Sequence, residues 1–117
     1  MERKMERADI AIIGTGPGGV SAALTAKVRN KNILLIGKKQ MSDKVSKAHQ
    51  IMNYPGLPAV TGADMAKAFE KQLAMMEINI TDSRIGTVYA MGDYFAIQAG
   101  GEVLEAKSVI LACGVVS

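Results

Sequence analysis

At 117 residues, 49% of them hydrophobic and 21% charged, the chain has the composition of one globular domain with a buried core rather than a disordered segment. Fourteen Lys and Arg against eleven Asp and Glu leave a mild net charge of +3, dispersed except for the short clusters Arg3-Lys4 and Lys38-Lys39. With two Phe, three Tyr and no Trp, platforms for base stacking are scarce, which argues against nucleic acid as a partner.

The opening Met1-Glu2-Arg3-Lys4-Met5-Glu6-Arg7 is too charged for the apolar core of a secretory signal. No run approaches the ~20 apolar residues that cross a bilayer, so a soluble cytoplasmic protein with no membrane partner is expected. Ile10–Ile13 is the first predicted strand. It enters Gly14-Thr15-Gly16-Pro17-Gly18-Gly19, and a helix follows over about Pro17 to Arg29, with Val20, Leu24 and Val28 at helical spacing and Ala23 between them. Pro17 suits a first helical turn, Lys27 and Arg29 complement the C-terminal dipole, and Asn30 suits a left-handed cap. Asn32-Ile33-Leu34-Leu35-Ile36 is a continuous apolar run, the pattern of a strand covered on both faces. Strand, helix and strand within about 30 residues make a right-handed βαβ unit.

Gly37 to Leu57 holds turn formers without a sustained period, and so long a connection is more often functional than idle. Thr61-Gly62-Ala63-Asp64 opens a second helix to about Glu77, with Met65, Phe69, Leu73 and Met76 as a core face. Ile78-Asn79-Ile80-Thr81 is a third short strand. The segments 85–90, 94–98 and 103–106 then alternate with Met91-Gly92-Asp93 and Gly100-Gly101-Glu102, which read as hairpin turns of a small antiparallel meander. Ser108-Val109-Ile110-Leu111-Ala112-Cys113-Gly114 is one more buried strand, returning beside the first. The expected fold is α/β and Rossmann-like, its parallel sheet ordered third-second-first-fourth, with the meander covering one side.

The glycine run carries the chemistry. Gly14 can make the tight turn at the strand end, Gly16 lets backbone approach a diphosphate with no Cβ in the way, and Gly19 lets helix and strand lie close. The free N–H groups of the helix's first turn then face the diphosphate, so a dinucleotide is the first-choice ligand. A ribose-binding site usually has an acid about 20 residues past the glycines. Here Gly37-Lys38-Lys39 stands there, and lysines only donate; they read as an NADP 2′-phosphate site or as a solvated loop. The single cysteine, Cys113, rules out an intrachain disulfide and multi-cysteine zinc patterns, and reads as a buried small hydrophobe without an activating base. His49, the one histidine, reads as a loop residue, and no metal site is visible.

The order of glycine turn, βαβ unit, Asn53-Tyr54-Pro55-Gly56 with the following Thr61-Gly62, helix, meander and Ile110-Leu111-Ala112-Cys113-Gly114 resembles the FAD-binding half of the low-molecular-weight thioredoxin reductase family. The resemblance covers nearly the whole chain. It implies that Thr15, Gly16, Pro17, Gly18 and Gly19 meet the pyrophosphate and that Gly37 and Lys38 lie near the adenosine ribose. It further implies Asn53 near the isoalloxazine, the Val88 backbone toward the adenine, and Ala112, Cys113 and Gly114 passing close to the cofactor. The Gly-Gly-Gln usual near the flavin is missing; Ser42-Asp43-Lys44-Val45-Ser46-Lys47 occupies that region, so Lys44 would take the glutamine's place. A cation there would stabilise an anionic reduced flavin; as a lone lysine in a polar loop it also reads as solvated.

That replacement, with Arg29-Asn30-Lys31-Asn32 and the segment 89–95, is similar to a clostridial branch in which some members take electrons from ferredoxin instead of NADPH. The resemblance implies a parent enzyme passing electrons through FAD to a disulfide, and on to thioredoxin or a similar dithiol protein. The chain has no Cys-x-x-Cys, no second glycine motif and no C-terminal Gly-Asp segment. Residues 1–117 are therefore expected to be a single FAD-binding domain, an N-terminal fragment of a two-domain reductase that is inactive alone. The alternatives are a stand-alone NAD(P)-binding module and a module that forms a homodimer through an open sheet edge.

Overall fold

The computed structural model describes residues 7–38, 56 and 61–113. Ala8–Ile13 (β1) and Ile33–Gly37 (β2) pair in parallel from Ile10↔Ile33 to Ile13↔Ile36, and Ile80–Asp82 (β3) continues the sheet from Leu35↔Ile80 to Gly37↔Asp82. The apolar runs are continuous because both faces are covered. On one face Ile12 and Leu35 are buried against the helices Pro17–Val28 (α1) and Gly62–Met75 (α2), through Val20, Ala23, Met65, Phe69 and Leu73. On the other, Ala11 and Ile36 share a second cluster with Ile97, Ala99, Leu104 and Ala106.

The α2 stripe packs as its spacing requires, with Met65, Phe69 and Leu73 buried. In α1 the expectation for Val28 fails: it is 69% exposed. The buried residues of α1 are Gly19, Val20, Ala23 and Ala26. Val20, Ala23 and Ala26 mark the face toward the sheet, and two steps of four residues carry Val28 about 80° past Val20 and off that face.

Both helices end in the same device. Asn30 N–H donates to Lys27 O (2.9 Å) and Lys31 N–H to Ala26 O (3.0 Å); Glu77 N–H donates to Ala74 O (3.1 Å) and Ile78 N–H to Leu73 O (2.9 Å). These are Schellman caps, each with a left-handed residue in the glycine position: Asn30 at φ 60° and Glu77 at φ 57°. Ile78 and Leu73 lie in the same buried cluster, completing the second cap. A left-handed glutamate costs about 1–2 kcal/mol that glycine would not. Glu77→Gly is therefore expected to stabilise the chain by about 1 kcal/mol, read as a rise of several degrees in melting temperature.

Ile85–Ala90 (β4), Phe95–Ala99 (β5) and Glu102–Leu111 (β6) complete a six-stranded sheet ordered β3-β2-β1-β6-β5-β4. The parallel order expected from the sequence holds, and so does the meander against one face. One boundary differs: the third meander strand and the returning strand are a single strand. Its first half pairs antiparallel with β5, up to Phe95↔Ala106, and its second half pairs parallel with β1, from Ala8↔Ala106 to Ile13↔Leu111. Lys107 continues the extended chain because its side chain projects to solvent beside Asp9 (3.4 Å).

Asp9 ties β1 to both neighbours. Its carboxylate accepts from Asn32 N–H (2.9 Å), its N–H donates to Asn32 O (2.7 Å), and its carbonyl accepts from the Ser108 hydroxyl (2.8 Å). The Asn32 N–H, with Lys107 beside it, holds the Asp9 carboxyl below the usual carboxylate range. A lowered folded-state pKa contributes stability above the unfolded pKa, and that contribution is lost as pH falls through the folded value. Asp9→Asn is expected to flatten the acid limb of the stability profile below about pH 4. Urea unfolding at neutral and acid pH checks this, and an unchanged acid limb would remove Asp9 as its source.

Candidate functional site

Gly14 stands where β1, β2 and β6 end together. Its N–H donates to Ile36 O (2.9 Å), its φ is 121°, and a Cβ on it would run into the carbonyl of Ala112. The end of β6 is fixed there in turn, with Ala112 N–H donating to Ile13 O (2.8 Å). Helix α1 then passes so close over the turn that a Cβ on Gly19 would strike the Gly14 carbonyl. Thr15 is buried, and its hydroxyl donates to Lys38 O (2.8 Å), binding the glycine turn to the chain leaving β2. A Cβ on Gly37 would lie 2.9 Å from the Thr15 methyl. β1 lies between β2 and β6, where strand order reverses; in open α/β sheets that crevice, at the carboxyl ends of the strands, is where ligands bind.

The two helix N-termini are finished differently. Thr61 caps α2, its hydroxyl accepting from Asp64 N–H (3.1 Å), and Asp64 places a carboxylate in the first turn. At α1 the N-cap is Gly16, with no side-chain cap and no acid in the first turn. The first bond of the helix runs from Val20 N–H to Gly16 O (3.0 Å), so the Gly18 and Gly19 N–H groups precede the intrahelical ladder. A Cβ on Gly16 would meet nothing within 4 Å. The positive end of the α1 dipole is thus open to an external anion, and among the described residues no side chain would have to move for a diphosphate to meet it.

The structure brings together Gly14, Thr15, Gly16, Pro17, Gly18, Gly19, Gly37, the Lys38 backbone, Ala112 and Cys113. Cys113 departs from the expected burial: it is exposed, its thiol 3.7 Å from Ile13 O. It lies past the last hydrogen-bonded residue of β6, where the apolar run no longer has sheet on both sides. Val88 is half-buried elsewhere, paired with Ile97 and packed in the second cluster. Lys39, Lys44, His49, Asn53 and Gly114 lie outside the described residues. Two features escaped the sequence reading: the Thr15–Lys38 bond, and Asp82, which the β2–β3 register sets beside Gly37. Among the described residues no group of His, Cys, Asp and Glu is arranged for a metal, and no helix is long and apolar enough to cross a membrane.

Known proteins share this arrangement. The chain is 45% identical to a ferredoxin-flavin thioredoxin reductase from Clostridium acetobutylicum, whose crystal structure matches with a TM-score of 0.92 over 96% of this chain and 39% of that one. It is 37% identical over 109 residues to a thioredoxin reductase of Helicobacter pylori, covering 91% of this chain and 35% of the relative. It is 28% identical over 113 residues to a 34.2 kDa protein in the rubredoxin operon of Clostridium pasteurianum, covering 96% and 37%. The chain spans little more than a third of the length of these relatives. The resemblance read from the glycine run holds, and the fold is the Rossmann type of the thioredoxin reductases. A family model described as pyridine nucleotide-disulphide oxidoreductase matches residues 8–117, and the chain belongs to that family.

Proposed function

We propose that this chain is the FAD-holding part of a thioredoxin-reductase-like flavoprotein that passes electrons from NADPH or ferredoxin to a protein disulfide. The observation that carries the reading is the uncapped first turn of α1, open at Gly16 while α2 caps itself. The Gly18 and Gly19 N–H groups would receive the diphosphate, and Thr15 would hold the turn in place from below. Gly37 and Lys38 would border the adenosine ribose, with Val88 toward the adenine. Lys44, Asn53, Ala112, Cys113 and Gly114 would lie along the rest of the cofactor. FAD supplies reversible two-electron chemistry when bound; this chain's residues orient it. Thioredoxin, or another dithiol protein, is the proposed final acceptor, in keeping with the named relatives.

Incubation of the chain with FAD, NAD or NADP, followed by desalting, tests the cofactor. Retention of FAD in preference to NADP, read from the flavin absorbance bands, is expected. Tight NADP binding without flavin would overturn the reading. A Cys-x-x-Cys encoded downstream of Ser117 is the observation that tests the reductase itself.

A second reading, self-association, is favoured by one observation. Beyond Ala106, β6 has β1 on one side and no strand on the other among the described residues, and Leu111 there is 72% exposed. Open edges of this kind recruit further strands. Sedimentation across a concentration series should show a dimer that Leu111→Lys abolishes; a monomer at every concentration removes this reading.

A further inference from the structure

Where a dinucleotide site usually places its ribose-binding acid, at the end of the second strand, this chain has Gly37 and Lys38. The register supplies a carboxylate from the next strand. Asp82 is the last residue of β3 and pairs with Gly37, and Ser83 N–H donates to Gly37 O (3.3 Å), so the two strand ends are fastened together. Adjacent strands lie about 4.8 Å apart, so Asp82 stands one strand spacing from the usual position. Two residues earlier, Leu35 and Ile80 pair and pack into the cluster beneath α1 and α2. Alternation along both strands sets Gly37 and Asp82 on that same helix-bearing face, at the end of the sheet where α1 begins. The Asp82 side chain is exposed and makes no hydrogen bond or ion pair among the described residues. A diphosphate at the start of α1 would bring its ribose to the end of β2, where the usual acid stands.

We infer that Asp82 is the ribose-reading residue of this site: its carboxylate accepts from the adenosine ribose hydroxyls and discriminates against a 2′-phosphate. The inference rests on the flavin-nucleotide reading above. It also assigns the selectivity that Lys38 alone would reverse, because a carboxylate beside the 2′ position repels phosphate where a lysine attracts it. The adenosine half of the ligand is thus specified by β3, and the glycine turn remains indifferent to it.

The test uses the full chain, Asp82→Ala and Asp82→Asn, titrated with FAD and with FAD lacking the adenosine 2′-hydroxyl. Wild type should prefer FAD by about tenfold or more, the range of a hydrogen bond to a charged group. Asp82→Ala should bind FAD about tenfold more weakly, and should no longer tell the two ligands apart. NADP affinity should rise in the same variant. Melting temperatures should agree among the three proteins; if Asp82→Ala is unstable, Asp82→Asn should show a smaller loss in the same direction, since its amide oxygen still accepts but without the charge, together with the rise in NADP affinity. Equal FAD affinity in wild type and both variants would overturn the assignment to Asp82 while leaving the diphosphate seat intact. A folded wild-type chain that takes up no FAD would instead overturn the seat, and this inference with it.

Discussion

Gly16→Asp is expected to leave the chain folded, slightly more stable than before, and unable to hold a flavin nucleotide. Gly16 has φ −77° and ψ −173°, an extended conformation open to any residue, and a Cβ there touches nothing within 4 Å. Aspartate is a better N-cap than glycine by a few tenths of a kcal/mol, so the melting temperature should rise a little. The same carboxylate would occupy the place proposed for the diphosphate. Two unit charges 4 Å apart near a protein surface repel by about 4 kcal/mol, or several hundred-fold in affinity, before any steric loss. Gly16→Ala, which adds bulk without charge, should lose less. Titration and thermal melting of the two variants check this. A Gly16→Asp chain that binds FAD like wild type would place the cofactor elsewhere.

Gly19→Ala should behave in the opposite way, weakening the fold first and binding as a consequence. Intrinsic helix propensity favours alanine over glycine by about 1 kcal/mol, so a substitution judged on local grounds would stabilise. The added Cβ, however, strikes the backbone carbonyl of Gly14. Overpacking commonly costs about 1–3 kcal/mol, and a backbone atom pinned between two strands yields less than a side chain would. Taking the upper end of that range less the propensity gain, we expect a net loss of about 2 kcal/mol, a large share of the ~5–15 kcal/mol typical of a domain. The melting temperature should fall by about 10 °C or more. FAD affinity should fall too, since α1 can give way only by moving its first turn. A stabilised Gly19→Ala chain would show that helix and turn are not in contact.

The contrast between these glycines shows how far the sequence could be read. Gly14 and Gly19 are legible because the motif encodes a local geometry, a turn followed by a close helix, and the folded chain has that geometry. The stripe of Met65, Phe69 and Leu73 is legible for the same reason, as are the turns at Gly92 and Gly100, both at positive φ. Val28 misled because steps of four drift around a helix of 3.6 residues per turn, so the third member of the series has left the buried face set by Val20, Ala23 and Ala26. Cys113 misled because an apolar run does not announce where its sheet ends. The fusion of the last two strands into β6 was hidden by Lys107, a polar residue that the strand carries on its exposed side. Asp82 was invisible because it reaches Gly37 through strand register, which is a property of the assembled sheet and not of either segment.

The turn below α1 has walls from strands far apart in sequence, β1 and β6. Gly14 is backed by Ala112, and the thiol of Cys113 approaches the carbonyl of Ile13 across 100 residues of sequence. The ribosome therefore makes the glycine turn early, while the strand that backs it, β6, emerges about a hundred residues later. A nucleotide held at that turn, as proposed, would find its seat walled only after β1 and β6 have paired. Scarce cofactor would then act on the lifetime of the folded sheet and leave its rate of folding untouched.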